Sequence, residues 1–246
     1  MSLLARINRR FTAQLPVNPT LNRSPVPLAS LSFDDFPRSA WTAGGDILRR
    51  HGVKATYYAV GSFAGQVVEG VEQYLPEDLK AVAAEGHEVA SHSFSHKPVN
   101  SLRNRAIHGD EAANDAFFEE HLGDYRATGF AYPYGEVSPR TKWLYGRRYT
   151  ANRGIIEGVN GRWFDLAQLK AVGIERKSWS VALIEAAVAE AAARNAWVIF
   201  FTHDISPDPT PYGATPEMLE HAIVTLKAAG IQILPVKHAL ARTQFD

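Results

Sequence analysis

The sequence contains no cysteine among its 246 residues. That absence removes disulfides, thiolate zinc sites and cysteine nucleophiles, so any metal site must be built from His, Asp and Glu. Net charge is also missing, with 26 Lys and Arg against 26 Asp and Glu. A balanced chain has no electrostatic bias toward nucleic acid or an anionic membrane. No apolar run reaches the roughly 18 residues of a transmembrane segment. Met1 to Arg10 carries basic side chains with no apolar stretch behind them, and 14–23 is polar and contains proline, so no secretory signal is visible. A cytoplasmic protein, or one whose leader has been removed, is the expectation. Residues 3–11 read as a frayed terminus in preference to a weak amphipathic anchor. The sequence shows no internal repeat and no low-complexity segment.

Hydrophobic residues make up 46% and charged residues 21%, enough to bury a sizeable core. The organisation expected is an N-terminal extension over 1–24 and one domain over 25–246. Within it, strands alternate with helices. Apolar or β-branched runs at Val26–Phe33, Lys54–Val60, Glu88–Ser91, Thr128–Tyr132, Arg148–Asn152, Ile174–Trp179, Ala196–Thr202 and Ile231–Val236 read as strands. Helical stretches lie between them, including Asn104–Leu122 and Val181–Asn195, while Leu166–Lys170 is ambiguous. Seven or eight strands alternating with helices imply a mostly parallel sheet buried on both faces. A closed or partly closed (β/α) barrel fits better than an open sheet, since no glycine-rich phosphate loop follows the first strand.

In such a fold the chemistry sits at the C-terminal ends of the strands. The first strand ends in Asp34-Asp35, the third in Ser91-His92-Ser93-Phe94-Ser95-His96, the fourth in Pro133-Tyr134-Gly135 and the seventh in Thr202-His203-Asp204. Carboxylates at the mouth of a buried strand are costly unless a cation compensates them. His92 and His96 would share one face if their stretch formed a helical turn. One carboxylate with two imidazoles leaves coordination positions open, as catalytic zinc sites do. The alternatives are a capping or solvent-facing histidine pair, and for His203 a buried histidine satisfied by hydrogen bonding. His87-Glu88 does not make an H-E-x-x-H motif, because the next histidine comes five residues after His87.

Ser-Phe-Asp34-Asp35-Phe-Pro, His92-Ser-Phe-Ser-His96, Ala131-Tyr-Pro133-Tyr134-Gly135 and Phe201-Thr-His203 together resemble, in order, the motifs of the polysaccharide deacetylase (NodB-homology, carbohydrate esterase 4) family. The resemblance implies a distorted (β/α) barrel with a divalent metal, most often zinc, with cobalt, manganese, iron or nickel as alternatives. It implies Asp35, His92 and His96 as metal ligands, Asp34 as catalytic base and His203 as catalytic acid. The expected activity is removal of N-acetyl groups from an amino sugar, oligosaccharide or polysaccharide. O-acetyl ester hydrolysis, cyclic amide hydrolysis and a catalytically silent carbohydrate-binding relative are the alternatives. The backbone N–H of Tyr134, in the turn after Pro133, is the expected oxyanion donor.

Three departures from the family pattern stand out. Phe36 replaces the usual glycine and is expected to reshape the lip of the site. Ala131 stands where an arginine normally holds the base, leaving Arg153 and Arg140 as substitutes. The motif that supplies an acid and a tryptophan is unclear, with Trp179 a candidate for the acetyl pocket or for the core, and Asp165 or Asp204 candidates to orient His203. Tyr57, Tyr58, Trp163 and Tyr212 are open between sugar subsites and core packing.

Overall fold

The computed structural model of the chain describes residue 12 and residues 14–244. Its strands are β1 (Pro19–Leu21), β2 (Leu28–Phe33), β3 (Thr56–Ala59), β4 (Val67–Val68), β5 (Val71–Glu72), β6 (Glu88–Ser91), β7 (Gly129–Ala131), β8 (Ala151–Arg153), β9 (Trp163–Asp165), β10 (Val172–Gly173), β11 (Trp197–Thr202) and β12 (Gln232–Ile233). Its helices are α1 (Arg38–Trp41), α2 (Ala43–His51), α3 (Pro76–Ala84), α4 (Asn104–Leu122), α5 (Pro139–Arg148), α6 (Val181–Ala193), α7 (Pro216–Ala228) and α8 (Val236–Gln244).

β2 is buried at every position because it lies inside the sheet and is covered on both faces. The main sheet runs β10-β11-β2-β3-β6-β7-β8, all parallel. Side chains alternate along β2: Ala29, Leu31 and Phe33 join the large core under the helices, whereas Leu28 joins a second cluster with Trp197, Ile199 and Phe201. The sheet is a curled barrel wall, as expected.

The ambiguous stretch 166–170 bridges the two sheet edges. Asn152 N donates to Leu166 O at 2.8 Å, Leu169 N to Asn152 O at 2.7 Å and Gly154 N to Leu169 O at 2.9 Å. Three residues after Leu169 the same segment becomes β10 and pairs with β11. The segment thus links β8 to β10 without a regular ladder of its own.

Two expected strands depart most from the expectation. Ile231–Val236 contributes only β12, wedged beside the lower half of β2 at Leu28 and Ala29, and Val236 already begins α8. Ile174–Trp179 is not a strand: β10 precedes it, and Arg176–Ser178 forms a 3-10 turn. The first N–H groups of α8 are met by the barrel floor, with Val236 N on Thr56 Oγ1 at 2.9 Å and Lys237 N on Glu88 Oε2 at 2.8 Å.

Of the extension expected over 1–24, residues 1–11 and 13, which include the segment 3–11 read as a frayed terminus, lie outside the described residues. The part that is described packs on the barrel: β1 pairs antiparallel with β9, and Asp165 accepts from Val17 N and Asn18 N. Lys142, fully buried, donates to the carbonyls of Thr12 and Leu15 and pairs with Asp165 at 2.8 Å.

Candidate active site

β2 and β11 end at the same height, with Phe33 in register with Thr202 and Asp34 N donating to Thr202 O at 2.9 Å. Asp34 and His203 therefore leave neighbouring strand ends together. β6 ends at Ser91, in register with Phe130 of β7, which brings the His92 loop beside the Pro133-Tyr134-Gly135 turn. The four strand ends converge as the sequence predicts.

Asp35, His92 and His96 each offer a ligand atom, and these atoms lie within 4.8 Å of one another. Asp35 Oδ1 is 3.4 Å from His92 Nε2 and 3.0 Å from His96 Nε2. It is buried, yet meets neither ring at a hydrogen-bonding angle. Such short contacts without hydrogen bonds suit lone pairs directed at a shared cation. His92 Nδ1 lies 2.8 Å from the carbonyl of Ala131. That acceptor requires the proton on Nδ1 and leaves the Nε2 lone pair facing Asp35, the tautomer a metal ligand needs. Burial works to raise the Asp35 carboxyl, but the His92 and His96 rings, with a smaller contribution from His203, outweigh it and hold the group well below the usual carboxylate range. The donor set fits a divalent cation.

The local backbone is strained at two of these three residues. Asp35 and His96 have φ of 61° and 50°. Non-glycine residues in the left-handed region are uncommon and persist only where surrounding contacts enforce them. The stretch from His92 to His96 is not the helical turn that its spacing suggests. It is a loop, with a second left-handed residue at Ser93, φ 64°. Phe36 is likewise left-handed at φ 67°, so it keeps a conformation suited to glycine. Its ring does not form the lip of the site. It is fully buried and stacked 4.6 Å from Tyr74 and 4.8 Å from Tyr57.

Asp34 points the other way from Asp35 and is 4% exposed. Its Oδ2 accepts from Arg153 Nη2, while its Oδ1 has no protein partner. Arg153 is fully buried between the rings of Tyr58 and Phe201, 5.2 and 4.8 Å from its guanidinium carbon, and Nη1 donates to Gly154 O at 3.0 Å. Of the two arginines considered, Arg153 is the one at the site. Arg140 lies on the surface, bonded to Asn104 and to the carbonyl of Leu102.

His203 Nδ1 is 3.2 Å from the carbonyl of Tyr212. Neither candidate carboxylate orients it. Asp204 accepts from Thr210 N and Oγ1 and shapes the 204–214 loop, and Asp165 anchors the N-terminal segment. Tyr134, at φ 59°, sits in the turn opened by the buried Pro133, and its half-exposed ring is 4.6 Å from His96. Trp179 meets His221 of α7 edge-on at 5.9 Å and packs against the large core, which accounts for it as a packing residue. Tyr57 and Tyr58 are buried and Trp163 lies on β9. Of the four aromatics left open, Tyr58 backs the site from within, against Arg153 and 6.3 Å from the His92 ring, and Tyr212, beside His203 and half-exposed, borders it at the surface.

A parallel barrel whose strand ends carry an Asp-His-His cluster beside a separately held Asp defines the class. It is a (β/α) barrel with a candidate metal site at the C-terminal ends of its strands. The family model described as polysaccharide deacetylase matches residues 22–149, and the chain belongs to that family. The chain is 33% identical over 110 residues to the peptidoglycan-N-acetylglucosamine deacetylase PgdA of Listeria monocytogenes, covering 44% of this chain and 22% of that protein. It is 31% identical over 138 residues to a peptidoglycan-N-acetylglucosamine deacetylase of Bacillus cereus, covering 53% of this chain and 45% of the relative. The chain thus matches less than half the length of either relative. The chitin deacetylase structure of Colletotrichum lindemuthianum superimposes with a TM-score of 0.65 at 20% identity over 92% of both chains, a likeness of fold.

Proposed function

We propose that this chain is a metal-dependent hydrolase that removes N-acetyl groups from an amino sugar within an oligosaccharide or polysaccharide. The observation that carries the reading is the division of labour between neighbouring carboxylates: Asp35 faces two imidazoles, and Asp34 is held apart by Arg153 with one oxygen free. A binding module has no need of that division. A divalent cation held by Asp35, His92 and His96, zinc being the common partner of such a donor set, would polarise the acetyl carbonyl and acidify the attacking water.

The chain's own residues do the rest. Asp34 Oδ1 takes the proton of the attacking water, and Arg153 keeps Oδ2 occupied so that the carboxylate stays oriented. The backbone N–H of Tyr134 donates to the carbonyl oxygen as negative charge builds there. His203, with Nδ1–H on the Tyr212 carbonyl, delivers a proton from Nε2 to the departing amine as the C–N bond breaks. Acetate and a free amino sugar are the products.

Relatives named for peptidoglycan N-acetylglucosamine, chitooligosaccharide and chitin support an acetamido sugar as the reacting unit. The test is acetate release from N-acetylated chitooligosaccharide, with acetylated xylan in parallel, by zinc-loaded and chelator-treated protein. Release from the first substrate that a strong chelator abolishes is expected. Turnover undiminished by the chelator would overturn the metal mechanism.

A further inference from the structure

The loop that carries His96 has no regular secondary structure to hold it. The backbone N–H groups of residues 93–96 bond to side chains: Ser93 N to Ser91 Oγ at 3.3 Å, Phe94 N to Asp110 Oδ2 at 3.0 Å, Ser95 N to Asp110 Oδ1 at 3.1 Å, and His96 N to Ser93 Oγ at 3.1 Å. Two of these four bonds end on one carboxylate. Asp110 lies in the middle of α4, away from its ends, so it caps nothing in its own helix. One turn further on, Asn114 Nδ2 donates to Ser91 Oγ at 2.9 Å and Asn114 Oδ1 accepts from Gly61 N at 3.0 Å. One face of α4 therefore grips the start and the middle of the ligand loop.

We propose that Asp110 is a positioning residue of the metal centre, fixing the 93–96 loop to α4 and thereby setting where His96 Nε2 stands relative to Asp35 and His92. The inference rests on the reading of Asp35, His92 and His96 as metal ligands. The backbone supplies the reason a clamp is needed. Ser93 and His96 both hold left-handed φ values that non-glycine residues leave unless contacts enforce them. Hydrogen bonds to an ionised carboxylate are the stronger kind, and two of them converge on the residues between the strained pair. With Asp110 removed, Phe94 N and Ser95 N lose their partners, the loop relaxes, and His96 leaves the 3.0 Å approach to Asp35.

The experiment compares wild type, Asp110→Ala, Asp110→Asn and Asp115→Asn, the last a surface partner of Arg148 on the same helix. Each protein is stripped of metal, then titrated with Zn²⁺ against a chromophoric chelator and separately loaded with Co²⁺ for its visible spectrum. Outer-shell losses typically weaken metal affinity by about 10- to 100-fold. Asp110→Ala is expected to show such a loss, with an altered Co²⁺ spectrum and a melting temperature of the stripped protein within a few degrees of wild type. Asp110→Asn keeps one acceptor oxygen and is expected to fall between; if the alanine variant does not fold, the asparagine variant carries the test. Asp115→Asn is expected to bind like wild type. Zn²⁺ affinity within twofold of wild type and an unchanged Co²⁺ spectrum in both Asp110 variants would overturn the proposal, as would an equal loss in Asp115→Asn. A wild type that takes up no Zn²⁺ would overturn the metal reading itself, a failure distinct from a variant that binds as tightly as wild type.

Discussion

Arg153 and Ala131 are register partners on the neighbouring strands β8 and β7, and the guanidinium of Arg153 reaches across to hold Asp34. The position at which the family motif carries its arginine is occupied here by a buried alanine packed with Tyr58 and Ala90. Arg153 thus holds Asp34 from the strand beside the one that carries Ala131, at the same height in the barrel.

This placement makes a paired prediction. Arg153→Ala leaves Asp34 buried and unpaired, which costs about 3–5 kcal/mol of stability for a buried pair broken on one side. On the proposed mechanism it also frees Asp34 to reorient, so acetate release should fall by at least about 100-fold, the lower range of a general base's contribution. Adding Ala131→Arg to Arg153→Ala returns a guanidinium from the adjacent strand into the vacated volume. The double variant should recover at least tenfold of the lost turnover. Steady-state acetate release with urea denaturation checks both halves, and a double variant no better than the single one would count against the exchange.

The two neighbouring carboxylates should separate by assay. Asp34→Asn keeps the Asp35, His92 and His96 cluster and should retain zinc while losing turnover by at least about 100-fold. Asp35→Asn removes the ionised ligand between the two imidazoles and should lose the metal itself. Metal analysis of each purified variant decides the matter. Equal zinc content in both would undo the assignment.

Some of this site was legible in the sequence, because polar residues directly after apolar runs are unusual and Asp34, Asp35, His92, His96 and His203 all occur there. What was not legible depended on three-dimensional register. The choice of Arg153 over Arg140 follows from the pairing of Ala131 with Arg153, which no local pattern reveals. Asp110 sits mid-helix among polar neighbours, where an acid reads as a solvated face. The helical turn that would put His92 and His96 on one face does not form, because side chains and not the carbonyls four residues back take the backbone N–H groups there. Residues 166–169 lack strand alternation because their bonds to β8 come from an irregular segment.

Phe36 offers a test of how strain and burial compete. Phe36→Gly relieves a left-handed φ worth about 1–3 kcal/mol. It also empties the cavity beside Tyr57 and Tyr74, and deletion of a buried phenylalanine ring costs about 3–5 kcal/mol. The second effect is larger, so the variant should be destabilised by roughly 2 kcal/mol despite restoring the family's glycine. Because the ring lies beneath the site, turnover per folded molecule should change less than threefold. A variant as stable as wild type would show that the ring contributes less than its burial indicates.

Glu111 predicts how stability follows pH. It is fully buried on α4, accepting from the hydroxyls of Tyr145 and Tyr149, with Arg148 Nε 3.7 Å away. Burial raises its carboxyl to about 7 against those hydrogen bonds, which pull the other way. The folded protein therefore keeps this proton at pH values where the unfolded chain, with an ordinary glutamate near 4.5, has already lost it. The contribution of Glu111 to stability is full below about pH 4.5, declines as the pH climbs toward 7, and levels off above it, a loss of roughly 3 kcal/mol at 1.36 kcal/mol per unit. Glu111→Gln carries no proton to lose and can still bond both hydroxyls. Urea midpoints at pH 5 and pH 8 should fall more in wild type than in Glu111→Gln, and the variant should be the more stable of the two at pH 8. An identical pH dependence in both proteins would mean that Glu111 is ionised in the fold and that Arg148 compensates it.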